Sequence, residues 1–204
     1  VLFRSREFSM AISKTRNLLV EVARQLFARK GVDDTTMNDI ALASKKGRRT
    51  LYTYFKSKED IYWAVIESEL NRLSEEMKTV VVKNIPPDEK ILELIYTRLS
   101  IVKEVVYRNG TLKASFFRDI WTVETCRKEF DKQEIQLYRD ILTEGNEKGV
   151  FHIENVNLVA DILHYSIKGI EIPYIRGLIG DGVPDEESKR CVEKLVFGAL
   201  GKME

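Results

Sequence analysis

The order of apolar and polar positions along the chain has a helical period almost throughout. From Ser13 onward, Leu19, Val22, Ala23, Leu26 and Phe27 recur at i, i+3, i+4, i+7 and i+8, and Gly31 supplies a stop, so one amphipathic helix is predicted there. Thr36 stands three residues before Asp39, the spacing of a capping box, and opens a short helix containing Met37, Ile40 and Ala41. Ser44-Lys45-Lys46-Gly47 then reads as a turn. A third short helix comes next, from Arg48 to Tyr54, burying Leu51 and Phe55. Ser57 and Asp60 repeat the capping spacing and open a long helix to Val82, with Ile66, Leu70, Leu73, Met77 and Val80 on one side.

Ile85-Pro86-Pro87 breaks that pattern and is the candidate domain or subdomain boundary. Beyond it, Ile91, Leu94, Ile95, Leu99, Val102 and Val106 mark a helix, Thr111 to Trp121 a shorter one, and Val123 to Lys148 another that stops at Gly149. A further helix begins near Asn155, with Pro173 ending or kinking it. Pro184 starts the last, where Val192, Leu195, Val196, Ala199 and Met203 form a stripe. Segments of strand period and internal repeats are absent from the pattern. The fold class is therefore all-α, with about nine helices.

Composition narrows the function. The chain has 204 residues, 44% hydrophobic and 32% charged, with 4 Pro and 11 Gly, which fits a helix-rich globular protein. No apolar run reaches the roughly 18 residues of a membrane span, so a cytoplasmic protein is expected. Cys126 and Cys191 are far apart, have no His cluster nearby, and read as two buried thiols rather than a disulfide or a zinc motif. The net charge of +1 hides an asymmetry. Residues 1–58 carry 13 Lys and Arg against 5 Asp and Glu, whereas the remainder carries 20 against 27. A basic front and an acidic back point to a polyanionic partner at one end. Residues 1–9 look foreign to the rest of the chain and are read as a non-native or disordered leader, with Met10 as a natural start.

Two short helices joined by a tight turn, the second with Arg48 and Arg49 on its free face, can enter a DNA major groove. An arginine fork hydrogen-bonds guanine on two atoms at once. Thr50 can reach a base edge or phosphate, and Tyr52 and Tyr54 can pack while offering a hydroxyl to phosphate. Lys58, in the first turn of the fourth helix, reads as a phosphate anchor beside free amides. Lys45 and Lys46 add charge beside this face.

The run Thr50-Leu51-Tyr52-Thr53-Tyr54-Phe55-Lys56-Ser57-Lys58-Glu59 resembles the signature of the tetracycline-repressor (TetR) family, Thr-Leu-Tyr, a variable residue, Tyr-Phe, then Ser-Lys-Glu. Leu26-Phe27-Ala28-Arg29-Lys30-Gly31 and Thr36 through Ala41 match its upstream elements, over residues 13–70 in all, and Gly145 to Phe151 looks like a loop that ends a later helix in many members. The resemblance implies a three-helix helix-turn-helix domain over 10–56, joined by a long helix to a helical effector-binding and dimerisation domain within 57–204. It puts Thr36, Asn38, Arg48, Arg49, Thr50, Tyr52, Tyr54 and Lys58 at DNA-contacting positions. The chain departs from the family pattern in the turn. Where Ala-Gly-Val is common it has Ser44-Lys45-Lys46, and Arg49 replaces the usual Gly before the Thr. Lys46 falls at a usually apolar position, where its stem can snorkel.

By the same resemblance a small-molecule effector is expected among the later helices, where Tyr96, Tyr107, Phe116, Phe117, Trp121, Tyr138, Tyr165 and Tyr174 supply aromatic surface and His164, one turn after Asp161, a polar handle. The last two helices would form a homodimer through Val192, Leu195, Val196, Ala199 and Leu200, with Ser166 and Gly169 allowing close approach. A two-fold dimer implies a palindromic operator in double-stranded DNA, from which an effector releases the protein. Two other classes compete. An architectural DNA binder would lack operator preference. A helical-bundle enzyme would need metal-ligand pairs, a phosphate loop or a nucleophile elbow, none of which the two histidines and the glycine pattern provide. No cofactor or metal is expected, and no enzymatic activity.

Overall fold

In a computed structural model of the chain, backbone is described for residues 2–108, 120–179, 182–183 and 185–200, and side chains for 14–105, 107–108, 128–179, 182–183, 187–198 and 200. Eight helices stand among the described residues: α1 (Leu2–Lys30), α2 (Met37–Ala43), α3 (Arg48–Tyr54), α4 (Lys58–Val81), α5 (Pro87–Arg108), α6 (Ile120–Glu147), α7 (Val156–Ile175) and α8 (Asp185–Leu200). Residues 109–119, which include most of the expected short helix, lie outside the described ones. The chain divides into two compact units, one of residues 1–70 with 105–125 and one of residues 71–104 with 126–204. The Pro86-Pro87 break separates α4 from α5 inside the second unit, and Pro87 occupies the first helical position, where its missing N–H costs nothing.

α1 is helical from Leu2, not from Ser13 as the apolar pattern suggests. Its first turns contain no Gly or Pro to stop a helix, and periodicity alone cannot see a helix that lacks an apolar stripe. The core of the first unit is built on the predicted faces: Leu19, Ala23, Leu26 and Phe27 of α1, Ile40 and Ala41 of α2, Leu51 of α3, Phe55, and Ile61, Val65 and Ile66 of α4. Burying each of the leucine, isoleucine, valine and phenylalanine side chains contributes roughly 1.5–3 kcal/mol. Glu69 and Arg24 are buried as well, and Glu69 Oε1 accepts from Arg108 Nη2 at 2.5 Å.

Helix ends follow the caps expected. Thr36 Oγ1 accepts from the Asp39 N–H while Asp39 Oδ2 accepts from the Thr36 N–H, a complete capping box. Ser57 and Asp60 exchange the same pair of bonds at the start of α4. The turn that closes α6 holds Gly149, whose φ of +68° is the left-handed conformation. There the Val150 and Gly149 N–H groups reach back to the Gly145 and Asn146 carbonyls, a Schellman ending. Gly145 lies so close to Phe151 that a Cβ there would stand 2.1 Å from the ring.

Pro173 sits inside α7 without ending it; the helix closes two residues later, where Gly177 (φ +68°) forms another Schellman ending with Leu178 bonded to the Pro173 carbonyl. The expectation of two buried thiols is corrected at Cys191, which is exposed beside exposed Lys189, Arg190 and Lys194 on α8; the Cys126 side chain lies outside the described residues. Among the described residues no helix is long and apolar enough to cross a membrane.

Candidate nucleic-acid interface

α2, the turn after it and α3 form the helix-turn-helix. α3 is amphipathic over only seven residues. Leu51 is fully buried and Phe55, its C-cap, nearly so, which fixes the helix on the first unit's core. Arg48, Arg49, Tyr52 and Thr53 point to solvent, Thr50 and Tyr54 are half-buried, and Tyr54 packs against the core cluster. The two arginines therefore stand together on the outer face. Tyr52 is 44% exposed, with its ring free to lie on a partner surface.

The turn is built by backbone geometry. The Lys46 N–H donates to the Ala41 carbonyl and the Lys45 N–H to that of Leu42, both at 3.1 Å, and Lys45 takes φ +53° at the left-handed position. Ser44 is buried and its Oγ donates to the Ala41 carbonyl at 3.0 Å. Lys45 is exposed and Lys46 half-buried, so the stem of Lys46 is partly covered, as snorkelling requires. Thr36 and Asn38 are exposed at the start of α2, though the Thr36 hydroxyl is already engaged with Asp39. The bonds from the Thr36 backbone and hydroxyl hold the Asp39 carboxyl below the usual carboxylate range.

Lys58 is placed differently from the sequence reading. Its Nζ donates to the carbonyls of Val32 at 2.7 Å and Asp33 at 3.1 Å, tying the start of α4 to the loop after α1. An ammonium has three donors, so one remains for a phosphate.

The expected effector residues scatter. Phe116 and Phe117 lie outside the described residues, as does the side chain of Trp121. Tyr96 is half-buried, Tyr138 wholly buried, and burial pushes both phenols above their ordinary pKa. Tyr165 is 60% exposed and points away from the core, with its ring edge-on to that of His164. His164 is fully buried, but its neighbours are Asp131 and Glu134 of α6, because Asp161 turns outward and accepts from Arg139 at 3.2 Å. This cluster, which also holds the fully buried Arg98, escaped the sequence reading. Its signal was an acid at a core position: Glu134 shares the stripe of Phe130, Tyr138 and Ile141, all buried.

Of the expected dimer residues, Ser166, Gly169 and Leu195 are exposed and Val192 is half-buried. Val196 and Leu200 face inward, at 4% and 1% exposure, where they pack within their own chain; the side chain of Ala199 lies outside the described residues. A stripe that sequence reasoning did not single out runs along α7, where Leu158, Ile162, Tyr165, Gly169 and Ile172 are all exposed at heptad-like spacing.

Comparison with known proteins agrees with this arrangement. The profile of the family described as "Bacterial regulatory proteins, tetR family" matches residues 19–65, which span α2, α3 and the parts of α1 and α4 that hold them. The HTH-type transcriptional regulator QacR of Staphylococcus aureus is 27% identical over 158 residues, covering 76% of this chain and 83% of its own. The fatty acid degradation regulator FadR of Bacillus halodurans has a similar fold, with a TM-score of 0.66 at 20% identity over 93% of this chain and 97% of its own. So does SmeT, the repressor of a Stenotrophomonas maltophilia multidrug efflux pump, at a TM-score of 0.64 and 15% identity over 90% of this chain and 89% of its own; SmeT is also known in complex with triclosan.

Proposed function

Since this chain belongs to the tetR family of bacterial regulatory proteins and is a DNA-binding transcriptional regulator, we propose that it is a homodimeric repressor that holds a palindromic operator through α3 and releases it when a small molecule binds among the later helices. The observation that carries this reading is the outer face of α3 and its turn. Arg48, Arg49 and Tyr52 are exposed beside Lys45, while Leu51 and Phe55 lock the helix from beneath. An α-helix so mounted fits the major groove, and the guanidinium forks can read guanine.

In this reading residues 10–56 bind DNA and 57–204 bind effector and partner chain. Thr36, Asn38, Lys45, Lys46, Tyr54 and Lys58 position the phosphate backbone, and Arg48, Arg49 and Thr50 read bases. The exposed apolar stripe of α7, with Leu195 of α8, supports a partner chain, since such surface seldom stays in water. That SmeT forms a complex with triclosan supports a small organic effector here. Release is a matter of linkage: an effector that prefers the conformation unable to span both half-sites lowers operator affinity, and operator lowers effector affinity equally.

The test begins with selection of bound fragments from the source genome. Arg48→Ala or Arg49→Ala should then cost about 1–3 kcal/mol on the selected site at fixed salt, with little loss on random DNA. Equal binding of the variants and the parent protein to the selected site would overturn the assignment of α3.

A further inference from the structure

We propose that Asp131, Glu134 and His164 form a site for one divalent first-row transition-metal ion in the core of the second unit, with zinc(II) the best match. The two acids stand three residues apart on α6 and so share one helix face, and His164 comes from α7. All three are buried, and one ligand atom from each lies within 4.8 Å of the others. Both ring nitrogens of His164, Asp131 Oδ1 and Glu134 Oε2 make no hydrogen bond. Buried polar atoms are seldom left so, and one ion would take up one ring nitrogen and one oxygen of each acid.

The second oxygen of each acid is already held. Lys168 Nζ donates to Asp131 Oδ2 at 2.7 Å, and Arg98 Nε pairs with Glu134 Oε1 at 2.5 Å. Each carboxylate thus turns its free oxygen toward the imidazole, at 3.6 Å from Nε2 for Asp131 and 3.4 Å from Nδ1 for Glu134. The two acids approach different nitrogens of the ring, and an imidazole holds one ion through one nitrogen, so binding requires the ring to turn a single nitrogen toward both carboxylates within the 4.8 Å span of the three ligand atoms. Outer cations that orient ligating carboxylates are the usual support of such sites. One imidazole with two carboxylates suits zinc among the divalent ions.

The metal site is independent of DNA binding, and the test uses the full chain without DNA. Chelator-treated protein is titrated with zinc against a chromophoric competitor, and the zinc-loaded protein is studied by X-ray absorption. One ion per chain is expected, with N/O scatterers and an imidazole signature near 2.0–2.1 Å. His164→Asn and Asp131→Asn should weaken binding at least 100-fold, while His152→Ala and Cys191→Ser leave it unchanged. Failure to bind one ion per chain, sulfur scattering near 2.3 Å, unchanged affinity in His164→Asn, or loss of binding in the His152 or Cys191 variant would each overturn the site. The absorption measurement needs no variant, so a poorly folding substitution does not shield the proposal.

Discussion

At Lys45 local strain and charge pull in opposite directions. Three helix endings use the same Schellman geometry; two place glycine at the left-handed position, Gly149 and Gly177, and the turn of the helix-turn-helix places Lys45 there. A side chain in that conformation costs about 1–2 kcal/mol, part of which glycine returns to the unfolded chain as entropy. Lys45→Gly should therefore raise unfolding stability by about 0.5–1 kcal/mol in urea titration. It should also weaken DNA binding and lower the salt slope of log K by about 1, because in the proposed complex the Lys45 ammonium faces a phosphate. Stability that falls, or a salt slope that holds, would remove the reason for a lysine here. Glu21 offers a pH test. The hydrogen bond from Arg24 pulls its carboxyl down to about 2, against 4.5 for a free glutamate. A depressed carboxyl stabilises above its unfolded pKa, and the contribution fades as pH falls from about 4.5 toward 2. Comparing Glu21→Gln with the parent by denaturation at pH 7, 4 and 2.5 should show a gap that narrows steadily with acid.

Caps and stripes decide the elements, which is why most of them are legible in the sequence. The Thr36–Asp39 and Ser57–Asp60 pairs are local devices that act within four residues, and both form as their spacing dictates. Thr36→Ala should cost about 1 kcal/mol through the lost cap of α2, measured by thermal or urea unfolding. Its effect on DNA affinity should exceed that of a surface change, since α2 braces the turn before α3. Start and stop signals failed where the cause was not local. α1 continues back to Leu2 without an apolar face to announce it, and α7 runs through Pro173 at the loss of one backbone bond, closing two residues later. Lys58 reads as a phosphate anchor, and the bond its ammonium makes 26 residues back to the Val32 carbonyl was not legible in the sequence. The Asp131, Glu134 and His164 cluster likewise joins two helices, and nothing in either segment alone reveals the other.

In the proposed homodimer, affinity depends on whether two copies act together. The α7 stripe of Leu158, Ile162, Tyr165, Gly169 and Ile172 faces solvent and carries no charge. One helix face of this kind is what a two-fold interface presents, each copy offering the same patch. Ile162→Glu with Leu195→Glu places charges at exposed apolar positions of α7 and α8, 54% and 77% exposed. The variant should fold with the helicity of the parent and elute as a monomer in light-scattering chromatography. Its hold on a palindromic site should fall by about 100-fold or more, because the second half-site no longer binds at the high effective concentration that linkage gives. Salt separates this cause from a damaged α3: a monomer contacts half the phosphates, so the slope of log K against log salt, roughly −0.9 per contact, should halve while half-site affinity is kept. A variant that remains dimeric, or a monomer that binds the full palindrome as tightly as the parent, would move the interface elsewhere and leave the α7 stripe without a partner.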